Sequence, residues 1–172
     1  AETNTHADDS FDSIEPGFRV PQWNTYTLLW APVSIAAEGG NHYLKLEDRE
    51  PTDYARAIRT FPQSKTLDAS FRLAAEQTGN GRLEIELLGE LGTRPVRIVL
   101  DDRGMVSALN GGTKSVDLTA YEAGKWHDYD IKADCMAGTY TLTIDGKEVI
   151  KDAAFAEPSS MVYALSFRTG EF

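Results

Sequence analysis

Two glutamates separated by one residue stand out in the stretch Leu83-Glu-Ile-Glu-Leu-Leu-Gly-Glu90. On a strand, Glu84 and Glu86 project from one face, about 6.6–6.8 Å apart along the chain. Carboxylates paired near that spacing act as nucleophile and acid in glycoside hydrolysis. The same pair also reads as a solvated or sugar-contacting acidic face. Four further residues belong with it: Tyr54, Arg56, Arg72 and Arg97. An arginine fork holds a carboxylate through two parallel hydrogen bonds, so this set suits an acidic sugar. It suits equally a set of cross-strand ion pairs with Glu84 and Glu86. Aromatic rings that stack on sugar CH faces are supplied by Trp23, Trp30 and Tyr43, which give contact area at low entropic cost. His6, His42 and His127 are too scattered for a zinc motif. No Gly-x-Ser-x-Gly elbow or phosphate-cradling glycine motif is present.

The elements that must position these residues are short strands. Tyr129, Ile131 and Ala133 alternate with Asp128, Asp130 and Lys132, and Tyr140, Leu142 and Ile144 alternate with Thr139, Thr141 and Thr143. A period of two marks a strand with one buried face. Asp145-Gly146 predicts a type I′ hairpin, because both central residues need positive φ. Further strands are expected from Phe11 to Ile14, Thr25 to Trp30, Val33 to Ala37, His42 to Asp48, Tyr54 to Phe61, Thr66 to Gln77, Arg82 to Glu90, Pro95 to Leu100, Met105 to Leu109, Ser115 to Leu118 and Met161 to Arg168. In the Tyr54–Phe61 strand, Arg56 shares a face with Tyr54 and Ile58, opposite Ala57, Arg59 and Phe61. Thr119 to Gly124 is expected to hold one helical turn. About a dozen short strands with Gly, Asn and Asp turns, and no long helix, predict an all-β antiparallel two-sheet sandwich.

The bulk properties restrict function. With 172 residues the chain fits one domain, 1–172, with residues 1–8 loose. A net charge of −10 argues against general nucleic-acid binding, which depends on Lys and Arg neutralising phosphates. No run of about 18 apolar residues exists to span a membrane as a helix. The single cysteine, Cys135, continues the Tyr129–Ala133 face and reads as a small core residue. The polar start is compatible with a mature terminus left by bacterial secretion.

Asp9-Ser-Phe-Asp12, Gly124-Lys-Trp-His127, Tyr140-Thr-Leu-Thr-Ile-Asp-Gly146 and the closing Ala164-Leu-Ser-Phe-Arg-Thr-Gly170 follow one another in an order that resembles the concanavalin A-like (laminin-G-like) jelly roll. That family includes lectin, carbohydrate-binding and glucanase domains. The resemblance implies an accessory module of a secreted or cell-surface bacterial protein that degrades polysaccharide. Its partners would be a polysaccharide or oligosaccharide and a catalytic domain of the same parent chain. It also implies a structural Ca²⁺, for which Asp9 and Asp12, with Asp8, are the candidate hard-oxygen ligands. Glucanases of this fold carry Glu-x-Asp-x-Glu, or the same with one residue inserted before the last Glu. Here Glu86 takes the middle place and Glu90 lies one position further still. The competing readings are a hydrolase using Glu84 and Glu86, a lyase using Arg72 with His127 and Tyr129, and a sandwich that packs on a catalytic domain without binding sugar. The expected sugar-binding set is Trp23, Trp30, Tyr43, Tyr54, Arg56, Arg72, Glu84, Glu86 and Arg97.

Overall fold

The computed structural model describes residues 9–16, 23–26, 33–49, 54–76, 78–79 and 81–170. Within them the strands are β1 Trp23–Tyr26, β2 Val33–Glu38, β3 Asn41–Leu46, β4 Arg56–Ser64, β5 Thr66–Ala74, β6 Leu83–Gly89, β7 Val96–Leu100, β8 Met105–Leu109, β9 Ser115–Ala120, β10 Trp126–Asp134, β11 Thr139–Ile144, β12 Lys147–Ala154 and β13 Val162–Thr169. They form a seven-stranded sheet in the order β1-β4-β13-β6-β7-β8-β9, a four-stranded sheet β12-β11-β10-β5 and the separate hairpin β2-β3. Every pairing is antiparallel.

The alternation in the sequence dictates which face each sheet buries. Ile85, Leu87, Val96, Ile98 and Leu100 from the large sheet meet Tyr129, Ile131, Ala133, Tyr140 and Leu142 from the small one. Phe71 of β5 stacks on Tyr129 at 5.4 Å between centroids and meets Phe167 of β13 edge-on at 5.1 Å, tying the two sheets together. The β11–β12 turn has the expected geometry, with φ of 51° at Asp145 and 79° at Gly146. The Asp145 carboxylate also accepts from the Asp128 N–H at 2.8 Å and contacts His127 Nδ1 at 2.6 Å. The hairpin is thereby fastened to β10.

Several local expectations give way to turn chemistry. Phe11 to Ile14 is a turn, closed by a 3.0 Å bond from Ile14 N–H to Phe11 O, with Phe11 at φ 64°. Its Asp12 accepts the His42 N–H at 3.0 Å. Residues 119–124 hold no helical turn. β9 runs on to Ala120, and Tyr121 is pinned by its O–H donating to Asp101 O at 2.5 Å. β5 ends at Ala74. Cys135 begins the β10–β11 turn half-buried against the core, and its desolvation pushes the thiol pKa up. A short 3₁₀ turn, Glu90–Gly92, joins β6 to β7 and carries Glu90 away from Glu84 and Glu86.

That turn depends on the absence of a side chain at Gly89. A Cβ there would lie 2.0 Å from Ser159 Oγ, 2.6 Å from Thr93 Oγ1 and 2.8 Å from Met161 O. We expect Gly89→Ala to destabilise the fold by about 1–3 kcal/mol, the usual range for overpacking, read as a lower midpoint in urea denaturation.

Candidate functional site

On β6, Ile85 and Leu87 face the core, so the pleat turns Glu84 and Glu86 to the outer face of the seven-stranded sheet. Register then decides their neighbours. Glu84 lies opposite Arg168 of β13 and Val99 of β7, and Glu86 lies opposite Ser166 and Arg97. One strand further, Arg168 faces Arg56 of β4, which faces Tyr26 of β1. Two side-chain rows therefore cross the sheet. One runs Tyr26, Arg56, Arg168, Glu84, Val99. The other runs Asn24, Ile58, Ser166, Glu86, Arg97.

The charges in these rows are layered. The Glu84 and Glu86 side chains are only 7% and 1% exposed, whereas those of Arg82, Arg94 and Arg97 are 34%, 35% and 25% exposed. Arg82 Nη2 reaches Glu84 Oε1 at 3.0 Å, and Arg168 Nη2 donates to Glu84 Oε2. Arg94 Nη1 donates to Glu86 Oε2 at 3.2 Å. Arg97 sits 3.7 Å from both glutamates. Glu86 Oε1 is buried and accepts no hydrogen bond; its nearest cation is Arg168 at 3.9 Å. Burial alone would raise the Glu84 pKa, but the nearby charge of Arg168, with Arg82 and Arg97, outweighs it and holds the group below its ordinary 4.5.

This arrangement is unsuited to general acid catalysis, which needs a carboxyl held protonated near neutral pH. Glu84 is shifted the other way, and Glu86 lies beneath guanidinium groups. The third acid of the sequence pattern, Glu90, is taken up by Ser160, whose N–H it accepts at 3.1 Å. His127 and Tyr129 of the lyase reading lie elsewhere. Tyr129 is in the core, and His127 is held by Asp145.

The remaining expected site residues divide between this face and other places. Tyr54 and Arg56 join it: the Tyr54 ring lies 4.9 Å from that of Tyr26 and 5.9 Å from the Arg168 guanidinium. Arg72 does not. It lies on the outer face of the four-stranded sheet, where it pairs with Asp128 at 3.1 Å and stands 6.0 Å from the Trp126 ring. Tyr43 packs edge-on against the same Trp126 at 5.3 Å. Trp23 turns toward the core side, between Phe11 and Phe167, with its Nε1 donating to Asp9 at 3.1 Å. Trp30 lies outside the described residues. Arg82, Arg94, Arg168, Ser166 and Tyr26 are site neighbours that the sequence reading did not select. Arg168 and Ser166 had a signal, since they alternate with Leu165 and Phe167; Arg94, on a connection, had none.

Two of the candidate calcium ligands already have partners in the structure. Asp9 is committed to Trp23 and to Arg59, 2.7 Å away, and Asp12 to the His42 N–H. Among the described residues no cluster of three His, Cys, Asp or Glu stands ready for a metal ion. Asp8 lies outside them.

A family profile described as "Sialidase-like, CBM domain" matches residues 23–172. The chain belongs to the sialidase-like carbohydrate-binding-module family. A solved structure named "Sialidase" superposes with a TM-score of 0.89 at 35% identity, covering 97% of this chain. The chain spans only 15% of that sialidase. More distant matches share the fold alone. They are a glycoside hydrolase family 16 endo-glucanase from Bacteroides ovatus (TM-score 0.53, 12% identity, 94% of this chain and 84% of that one) and the CBM2 module of the evolved Dit of Lactobacillus casei BL23 phage J-1 (0.51, 12%, 90% and 84%). No curated protein matches. The family and the layered glutamates agree on a non-catalytic carbohydrate-binding module with a jelly-roll sandwich fold.

Two outcomes follow from the layering. Glu86→Ala would leave arginines facing an emptied, buried partner position. We expect it to cost about 1–3 kcal/mol in chemical denaturation, the range for a lost hydrogen bond to a charged group, because Arg94 and Arg97 stay partly hydrated. Glu84 keeps its charge more readily folded than unfolded. Its contribution is therefore present above pH 4.5 and is lost as pH falls through the lower folded value. The stability difference between wild type and Glu84→Gln should accordingly shrink below pH 4.5; a difference independent of pH would contradict the assignment.

Proposed function

We propose that the outer face of the seven-stranded sheet is the glycan-binding surface, and that the module serves a secreted or cell-surface bacterial protein acting on polysaccharide or oligosaccharide. The observation that carries this reading is the partly exposed layer of arginines above buried glutamates, bordered by the Tyr26–Tyr54 ring pair, in a chain of this family. Guanidinium groups donate to sugar hydroxyls in fixed directions, and the two rings offer area for a sugar face. The opposite sheet has a different character. Its outer face carries Asp68, Asp128 and Asp130, and the hydrogen bond and repulsion between Asp68 and Asp130 push the Asp68 carboxyl up to about 6. Arg72 pairs with Asp128 there and Lys132 lies beside Asp68 and Asp130, so that face carries mixed charge rather than a layer of arginines.

A catalytic domain in the same parent chain fits this reading, supported by the similarity to a much longer sialidase. Tethering raises the local concentration of the catalytic domain on its polymer without adding contacts to the cleaved bond. A location outside the cytoplasm fits too, because polymeric glycans are met there.

A glycan array probed with the 172-residue chain tests the reading. We expect retention of a subset of glycans and weakening of about tenfold for Tyr54→Ala, consistent with about 1.4 kcal/mol for a lost ring contact. The retained glycans should remain uncleaved. Cleavage abolished by Glu84→Gln would overturn the non-catalytic assignment.

A further inference from the structure

Arg56 and Arg168 stand directly opposite each other on β4 and β13. Like charges in directly opposed sheet positions destabilise the pair unless something compensates. Arg168 is compensated on its other side by Glu84. Arg56 is placed differently. Its Nε donates to Ser166 Oγ at 3.1 Å, and its two terminal nitrogens meet no acceptor among the described residues. Ser166 is itself fully buried, so it fixes the stem of the fork and leaves the fork's end uncommitted.

The surroundings repeat the imbalance. Five of the chain's ten arginines, Arg56, Arg82, Arg94, Arg97 and Arg168, gather around two glutamates. Among these described residues, five positive minus two negative charges leaves an excess of three, in a chain whose net charge is −10. Arg82, Arg94 and Arg97 form the more accessible layer, Arg168 is less exposed at 13%, and the glutamates lie below. A ligand approaching this face meets guanidinium groups first, with the Tyr26–Tyr54 pair one strand position away.

We propose that this face selects sugars that carry a carboxylate, and that Arg56 receives the carboxylate between itself and the Arg168 side of the row while Tyr26 and Tyr54 border the sugar ring. The inference rests on the glycan-binding reading above and narrows it to acidic sugars. An anion placed there relieves the opposed like charges, and the planar fork of Arg56 matches carboxylate geometry as an ammonium does not. Neutral sugars gain neither effect.

The test is isothermal titration of the chain with two carboxylate probes, 3′-sialyllactose and tetragalacturonate, each beside its methyl ester. The two probes separate a nonulosonic from a uronic acid source. At least one free acid should bind at least about tenfold tighter than its ester. That binding should weaken as salt rises from 50 to 500 mM. Arg56→Ala should lose it by about tenfold or more, with Arg56→Lys intermediate, and a retained cooperative melting transition will show that both variants fold. Esters binding as well as the acids, or Arg56→Ala binding as wild type, would overturn the proposal and leave the glycan-binding face standing. Retention only of neutral glycans on the array would do the same. Silence toward both probes and the whole array would overturn the proposal and the reading beneath it together.

Discussion

Two carboxylates on a strand in the middle of a sheet set the terms for the rest of this structure. A carboxylate withdrawn from water is costly unless it is paired and hydrogen-bonded. Glu84 and Glu86 occupy β6, with β13 on one side and β7 on the other. The sheet answers with Arg168 from β13, Arg97 from β7, and Arg82 and Arg94 from the connections at either end of β6. A slip of one residue in any of these strands would turn the arginines into the hydrophobic core. The ion pairs therefore help specify register as well as satisfy charge, and the inward Ile85–Leu87 pair enforces the same register from the other face.

The same constraint decides the chemistry. Once paired, both glutamates are buried and Glu84 is held ionised, so the residue types of a hydrolase are present without a carboxyl free to act. The arginines that silence them are longer, reach past them and become the surface. A constellation that looks acidic in sequence is basic to an arriving ligand. The family assignment and the layering are independent observations that agree on binding rather than turnover.

Much of the fold was legible because its signals are local. The alternation through β10 and β11 and the Asp145-Gly146 turn led directly to the small sheet, and the placement of Arg56 opposite Ala57 and Arg59 holds in the structure. The site was harder because sequence periodicity gives a residue's face but not its sheet. Arg72 and Arg97 both point outward from strands, yet one lies on the four-stranded sheet and the other on the seven-stranded one. Trp23 has the composition of a sugar platform and instead packs between Phe11 and Phe167 on the core-facing side of β1. The depth order of Glu84 and its arginines depends on side-chain length and on partners brought from as far as 84 residues away, which no periodicity encodes.

The most direct measurement is a crystal structure of the chain with a bound acidic oligosaccharide. We expect density over the outer face of the seven-stranded sheet, in contact with the Arg56 fork, with Glu84 and Glu86 still paired beneath. A sugar seated on the four-stranded sheet, or one that displaces the arginines to reach Glu84 and Glu86, would contradict it.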